Sequence, residues 1–246
     1  MGQHGGMTSS TAPETAITID VDGTPVSGVY ARPADASATI VVAHGAGAGM
    51  EHPFMSGFTR AMNDLGVATL RFNFPYREAK RRFPDRPPVA IATWRAALAA
   101  AAARAADAAG AGAAGAAEAA EPIWASGKSF GGRMASMAVA EGMPAAGLVF
   151  LGYPLHPPGR PDKARDEHLP GVDVPLLFLQ GRNDPFAIPN EQLDELVARL
   201  GPIATLEWIE DANHSFEVKG RKRPAAEIGA SLAPRAQAFM AAHPVA

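Results

Sequence analysis

Cysteine is absent from this 246-residue sequence. Its absence excludes a disulfide framework, a thiolate metal site and a cysteine nucleophile, and it is typical of proteins in reducing compartments. No apolar run approaches the roughly 20 residues that span a bilayer, and the start of the chain lacks the charged and apolar regions of a secretory signal. We therefore expect a cytoplasmic protein that does not bind membranes.

Basic residues are not in excess either, because the 22 Lys and Arg are outnumbered by 25 Asp and Glu. A general nucleic-acid-binding protein would be basic, so we expect no nucleic-acid partner. The composition is 47% hydrophobic and 19% charged, as in ordinary globular domains. We predict a disordered tail over residues 1–14 and a single domain over residues 15–246. Between residues 96 and 120, 18 of 25 residues are alanine, which predicts a surface helix followed by a flexible connector.

Short apolar runs alternate with helix-length segments along most of the chain. We predict strands at 16–21, 26–31, 39–43, 67–72, 122–126, 147–152, 174–181 and 204–209, and helices at 52–65, 89–109, 129–141, 190–200 and 224–242. The first two strands form a hairpin around Asp22-Gly23. The rest alternate strand with helix, which is typical of a parallel sheet. The expected fold class is therefore α/β, with a mostly parallel central sheet, an N-terminal antiparallel hairpin and helices on both faces.

A serine stands in a G-x-S-x-G pattern, with Gly127, Ser129 and Gly131 between a predicted strand and a predicted helix. In this context the pattern is typical of a nucleophile elbow, a strained turn that lifts a serine hydroxyl above the sheet. The alternative is that Ser129 is an ordinary helix cap.

A serine nucleophile needs a histidine base that is oriented by an acid, and in this fold the chain order is Ser, acid, His. Asp184 follows the predicted strand at 174–181, and His214 follows the strand at 204–209. Both therefore fall at strand ends that carry functional loops. The alternatives are a turn-forming Asp184 before proline, a surface-loop His214, or Asp211 as the acid.

The oxyanion of a tetrahedral intermediate needs two backbone N–H donors. Phe130 follows the nucleophile and provides one, and Ala46 in the Gly-rich loop after the strand at 39–43 provides the other. Two rival motifs fail on spacing: a P-loop would need glycine where Pro122 stands, and a dinucleotide fingerprint would need glycine where Met50 stands. The scattered histidines offer no metal-binding pattern, so we expect no metal and no cofactor.

The chain resembles the α/β-hydrolase superfamily near the dienelactone-hydrolase-like enzymes, and in particular small bacterial hydrolases related to testis-expressed protein 30 and to a regulatory-complex subunit. The resemblance covers about residues 15–243. The matching segments are HGAGAGMEHPFM, LRFNFPY, GKSFGGRMAS, LGYPLHPPGR, LQGRNDPF and NHSF. It implies a serine hydrolase with a triad at Ser129, Asp184 and His214. One departure is Phe130, where methionine is frequent in the relatives.

Only about 20 residues separate the strands at 147–152 and 174–181, which leaves no room for a lid domain. We therefore expect an open site for a small acyl substrate. Tyr153 and His156 follow the first of these strands and are expected to line the pocket. We expect Lys128 to pair with a carboxylate such as Glu51, and His44 to hold its own loop by hydrogen bonds.

Basic residues in three loops would favour an anionic acyl substrate if they surround the site. The alternative is that they are ordinary solvated loop charges. These residues are Arg77, Lys80, Arg81 and Arg82; Arg160, Lys163 and Arg165; and Lys219, Arg221, Lys222 and Arg223.

The sequence thus predicts a serine hydrolase that cleaves a small carboxylic ester through an acyl-enzyme. The alternatives are a thioesterase or peptidase with the same triad, and a non-catalytic scaffold on a hydrolase fold.

Overall fold

The protein is represented by a computed structural model that describes residues 12–112 and 120–244. Eight strands form one sheet in the order β1-β2-β4-β3-β5-β6-β7-β8. The strands are β1 Glu14–Val21, β2 Thr24–Ala31, β3 Ala38–Ala43, β4 Val67–Phe72, β5 Ile123–Lys128, β6 Leu148–Leu151, β7 Leu176–Gly181 and β8 Ala204–Ile209. Strands β3 to β8 pair in parallel, whereas β1 pairs with β2 and β2 pairs with β4 in antiparallel fashion. The expected mostly parallel sheet with an N-terminal antiparallel hairpin is confirmed.

Helices cover both faces of this sheet, as expected. They are α1 Pro53–Asp64, α2 Pro75–Glu78, α3 Pro87–Gly112, α4 Phe130–Ala140, α5 Glu191–Leu200, α6 Ala225–Ala230 and α7 Ala233–Ala242. Residues of α3, α4 and α5 belong to one buried apolar cluster, and those of α1, α6 and α7 belong to another. The sheet separates these two cores, which is the layer arrangement that buries both faces of a parallel sheet.

The inner strands have the composition that such burial requires. All six residues of β3 are buried, and so are all six of β4 and of β7. β-Branched and other apolar side chains suit a strand that is covered on both faces. Because parallel strands all end at the same edge of the sheet, the loops after β3, β5, β7 and β8 meet there.

Helix α3 is longer than predicted and runs through much of the alanine-rich segment. Its part Pro87–Gly110 is long and apolar enough to cross a membrane by length and composition alone. However, Trp94, Ala97 and Ala101 are fully buried against the sheet, which is the behaviour of a core helix. The predicted flexible connector falls largely on residues 113–119, which lie outside the described residues.

Several elements differ from the prediction at their ends or in their division. Glu14 belongs to β1 and pairs with Ala31, so the ordered chain includes the end of the predicted tail, whereas residues 1–11 lie outside the described residues. The final helix predicted at 224–242 is two helices that meet at Ser231-Leu232, and Pro234 stands in the first turn of α7. The chain between β4 and α3 also forms one short helix, α2, where no helix was predicted.

The segment between β6 and β7 contains one 3₁₀ turn, Leu169–Gly171, and no α-helix. The segment between β6 and β7 therefore forms no lid domain over the carboxyl edge of the sheet.

Candidate active site

Ser129 lies between β5 and α4 in the left-handed region, with φ 50° and ψ −113°. This conformation is strained for a residue with a side chain, and such strain is concentrated at functional sites. The tight turn depends on the neighbouring glycines. A Cβ at Gly127 would collide with the backbone of Gly132, and a Cβ at Gly131 would lie 2.7 Å from the carbonyl oxygen of His44. The Ser129 side chain makes no capping hydrogen bond to α4, so it does not act as a helix cap.

Ser129, His214 and Asp184 form a continuous chain of hydrogen bonds. The Ser129 Oγ lies 2.9 Å from His214 Nε2, and His214 Nδ1 lies 2.7 Å from Asp184 Oδ2. Asp184 is fully buried in the loop after β7, and His214 comes from the loop after β8. Asp211 is exposed, and its backbone oxygen accepts a hydrogen bond from Asn183, so it is not the acid that contacts the histidine.

The Asp184 carboxylate is oriented by two further donors. Gln180 Nε2 donates to Oδ2 at 2.6 Å, and the backbone N–H of Phe186 donates to Oδ1 at 2.9 Å. Gln180 is itself fixed, because its Oε1 accepts a 2.7 Å hydrogen bond from the backbone N–H of Tyr153. The sequence analysis did not identify Gln180. A glutamine near the end of a continuous apolar strand was a signal, because a buried amide is expected to hydrogen-bond a polar group.

The His214 imidazole is kept neutral by its surroundings. Burial lowers the pKa of His214, the nearby Lys128 ammonium lowers it further, and the hydrogen bond with Asp184 opposes both effects. The Phe186 ring lies against the imidazole at 4.3 Å between centroids. Because Nδ1–H faces a carboxylate, Nε2 is the unprotonated nitrogen and can accept the serine proton. This is the arrangement that a general base requires.

The side chains of His44 and Tyr76 fix the loop after β3 through hydrogen bonds to its backbone carbonyl groups. The Phe74 N–H donates to His44 Nε2 at 3.3 Å, so Nδ1 carries the proton and donates to the Gly45 carbonyl at 2.8 Å. The Tyr76 hydroxyl donates to the Ala46 carbonyl at 2.8 Å and also lies 3.4 Å from the Gly45 carbonyl. Burial lowers the pKa of His44 to about 4 and raises that of Tyr76 to about 12, so both keep these protonation states near neutral pH.

This support determines the direction of the Ala46 N–H. In a trans peptide the C=O and N–H point in opposite directions, so fixing the Gly45 carbonyl toward His44 turns the Ala46 N–H away from it. The Cα of Gly45 lies beside the elbow, because a Cβ there would be 3.8 Å from Ser129 Cβ. Within the described residues, the Ala46 N–H has no backbone acceptor.

The Phe130 N–H is the first of helix α4 and has no acceptor within the helix. It lies at the positive end of the helix dipole, which favours negative charge. The Phe130 ring packs edge-on against Phe74 and Tyr76, at 5.4 and 6.5 Å between centroids. The Phe130 side chain therefore fills space beside Phe74 and Tyr76, and its backbone N–H is left at the start of α4.

A cavity of about 490 Å³ opens at Ser129. Its size is within the usual range for small-molecule sites. Phe54 and Met55 of α1 and Ile228 of α6 form an apolar wall, whereas Glu217 and His52 contribute polar groups.

Tyr153 and His156 do not line this cavity, so that expectation is wrong. The Tyr153 side chain is buried under the segment after β6, and its hydroxyl donates to the Arg165 carbonyl at 2.7 Å. His156 is fully buried, and its Nδ1 donates to the Pro157 carbonyl at 2.9 Å. Both side chains turn into the protein because the segment after β6 folds back on itself, with the Arg165 N–H bonded to the Leu155 carbonyl.

The expected pairing of Lys128 with Glu51 is also wrong. Glu51 contacts Arg71 at 3.2 Å, and Arg71 in turn forms two 2.9 Å hydrogen bonds with Glu14. The planar Arg71 guanidinium makes a bidentate pair that a lysine cannot match. Lys128 Nζ is buried and has no hydrogen-bond partner within residues 12–112 and 120–244.

The three basic loops are not equivalent. Residues 217–223, together with Asn183, Asp211 and Asn213, line a second cavity of about 590 Å³ that shares Glu217 with the cavity at Ser129. Its basic residues are Lys219, Arg221, Lys222 and Arg223. In the other two loops Arg81 pairs with Asp85 and Arg160 pairs with Asp162. Within residues 12–112 and 120–244 no group of three His, Cys, Asp or Glu side chains could hold a metal ion.

Comparison with known proteins places the chain in a family. Residues 36–241 match the family model described as alpha/beta hydrolase domain, and the chain belongs to this family. The expected α/β-hydrolase resemblance is thus confirmed.

Solved structures agree with this assignment at the level of the fold. A dienelactone hydrolase from Anabaena variabilis has a TM-score of 0.72 at 20% identity, with 96% of this chain and 100% of that chain covered. An α/β serine hydrolase without a lid from Xanthomonas campestris has a TM-score of 0.64 at 19% identity, with 95% and 96% covered. Est1E from Butyrivibrio proteoclasticus has a TM-score of 0.62 at 16% identity, with 92% and 99% covered. Family and neighbours together support a hydrolase.

Proposed function

We propose that this protein is a serine hydrolase that cleaves small carboxylic esters through an acyl-enzyme on Ser129. The observation that carries the proposal is the hydrogen-bonded chain from Ser129 through His214 to the buried Asp184 at a strained elbow. These are the relations among nucleophile, base and orienting acid by which a catalytic triad is recognised.

In the proposed reaction the Ser129 Oγ attacks the ester carbonyl carbon while His214 Nε2 takes the hydroxyl proton. Asp184 holds the imidazole and stabilises the imidazolium that forms. The N–H groups of Ala46 and Phe130 bind the oxyanion. The imidazolium then protonates the leaving alcohol, and a water molecule hydrolyses the acyl-enzyme by the same steps. The mechanism uses side chains, backbone donors and water.

The shape of the site supports a small substrate. The cavity at Ser129 holds about 490 Å³, and its apolar wall of Phe54, Met55 and Ile228 suits the hydrocarbon part of an acyl group. The adjoining basic loop at residues 217–223 favours an anionic group on the substrate. We expect this hydrolase to act in the cytoplasm on a small-molecule acyl substrate.

Hydrolysis of p-nitrophenyl acetate tests the reaction. We expect Ser129→Ala and Asp184→Asn each to lower kcat by about 10⁴-fold or more. Asp211→Asn is the matched control, because it removes an exposed carboxylate near the same histidine and is expected to keep wild-type activity. Equal losses in the two aspartate variants would contradict the assignment of the acid.

Analogues of one acyl group as oxygen ester, thioester and amide distinguish esterase from thioesterase and peptidase. The proposal expects the highest kcat/KM for the oxygen ester, and a higher value for the thioester or the amide would assign the corresponding alternative. Absence of turnover for all three would favour a non-catalytic scaffold. An anionic ester whose rate does not fall with rising salt would contradict attraction by the basic loop.

A further inference from the structure

Lys128 is a buried cation that the proposed mechanism does not use. It is the last residue of β5 and directly precedes Ser129, and it lines the cavity at Ser129 as a partly exposed residue. The Nζ atom is buried and forms no hydrogen bond in the part of the chain that the structure describes. Burying an ammonium without a partner is costly, so such a group indicates a functional role.

The Nζ atom lies close to the catalytic imidazole. A Cβ placed on Gly152 would be 3.2 Å from Lys128 Nζ and 3.6 Å from His214 Nδ1, so the two nitrogens are at most about 7 Å apart. The Phe216 ring lies on another side of Nζ, at 5.6 Å from its centroid.

Two ionisable groups act on the ammonium, and both belong to the triad. The Asp184 carboxylate attracts the Lys128 charge, whereas the His214 imidazolium and this charge repel one another. With water excluded from Nζ, these interactions are screened less than at the surface.

We propose that Lys128 is a positioning residue whose charge acts on His214. The positive charge of protonated Lys128 keeps the His214 imidazole neutral down to lower pH. When Lys128 loses its proton, this repulsion is removed, and the His214 imidazolium of the transition state becomes easier to form. This inference rests on the proposed serine-hydrolase function.

The ionisation of Lys128 falls in a range where its effect can be measured. Burial lowers the pKa of Lys128 to about 8, and Asp184 partly opposes this shift. The pKa of His214 is lowered by burial and by Lys128. The profile of kcat/KM against pH reports ionisations of the free enzyme. We expect two rises in the wild type: one below pH 6.5 from His214 and another near pH 8 from Lys128.

Lys128→Met removes the charge and keeps the length of the side chain. It is expected to move the acidic limb of kcat/KM up by about one pH unit and to abolish the second rise. Lys128→Arg keeps a permanent charge, so the acidic limb stays low and the second rise is absent. Lys163→Met, in an exposed loop, is the matched control and keeps the wild-type profile. A Lys128→Met profile that superimposes on the wild type would overturn the proposal.

NMR titration of the His214 ring tests the same proposal without requiring catalytic turnover. In Ser129→Ala, NMR titration of the His214 ring gives its pKa directly, and adding Lys128→Met is expected to raise that pKa. If Lys128→Met does not fold, the Arg variant decides, because a second rise that persists in it would refute the role of Lys128. Absence of hydrolysis in the wild type would refute the proposed function, whereas the NMR titration would still test Lys128.

Discussion

Removing the Tyr76 hydroxyl tests whether its hydrogen bonds fix the loop after β3, which carries the proposed oxyanion donor Ala46. Tyr76→Phe deletes one oxygen, which donates to the Ala46 carbonyl at 2.8 Å and lies 3.4 Å from the Gly45 carbonyl. Loss of one such hydrogen bond lowers the free energy of unfolding by about 1 kcal/mol. Removal of a whole oxyanion donor costs about 10²–10³ in kcat. Since His44 still holds the loop, we expect a smaller loss, about tenfold.

The loss should affect kcat and leave KM nearly unchanged, because the oxyanion forms only in the transition state. The assay is steady-state hydrolysis of p-nitrophenyl acetate together with urea denaturation. Tyr153→Phe is the matched control, since it also removes one buried hydroxyl hydrogen bond, to the Arg165 carbonyl, away from the cavity. It should lose similar stability with kcat preserved. Equal kcat in the two variants would refute the role assigned to Tyr76.

Three further predictions concern stability. Gly131→Ala places a methyl group 2.7 Å from the His44 carbonyl oxygen, so chemical denaturation should show a loss of about 1–3 kcal/mol. In contrast, a Cβ on Gly110 would meet no atom of the described residues within 4 Å, so Gly110→Ala should be neutral or stabilising. The buried His44 has a folded pKa of about 4, below its unfolded value, so the unfolded state binds more protons as pH falls from 6.5 toward 4. Urea titrations should therefore show that protonation of His44 lowers the free energy of unfolding by about 3 kcal/mol between pH 6.5 and pH 4. Arg71→Met removes a buried guanidinium that is hydrogen-bonded to Glu14 and Glu51. Because both carboxylates are exposed and can be solvated, the variant should lose about 1.5–3 kcal/mol in thermal or urea unfolding, whereas Arg60→Met, at an exposed guanidinium, should lose less than about 1 kcal/mol.

The sheet could be predicted because its strands carry a strong local signal. Continuous β-branched and apolar runs such as β3 are buried on both faces, and the bounds of β4 and β8 agree with the prediction to the residue. The break between α6 and α7 was missed because alanines continue the helical pattern across it. Pro234 in the first turn of α7 was the local signal, since proline suits helix starts.

The prediction placed Ser129, Asp184 and His214 at three strand ends, and the fold brings them into contact because parallel strands end at one edge. The contacts of residues around the triad could not be predicted in the same way. The pairing of carboxylates with cations depends on tertiary geometry that residue spacing does not contain. Glu51 contacts Arg71, whose bidentate pair is with Glu14.

The same limit applies to Tyr153, whose direction after β6 depends on how that segment folds back. Gln180 and Tyr76 act through hydrogen bonds to residues that pattern reading cannot pair with them, because their partners are brought close only by the tertiary fold.

The proposed function requires that Ser129 is a nucleophile activated by His214. Labelling of the purified protein with a fluorophosphonate, followed by peptide mass spectrometry, tests it most directly, because this reagent reacts with activated serines. We expect one adduct on Ser129 that is lost in His214→Ala. Absence of an adduct under conditions that label a known serine hydrolase, or an adduct that persists in His214→Ala, would contradict the claim.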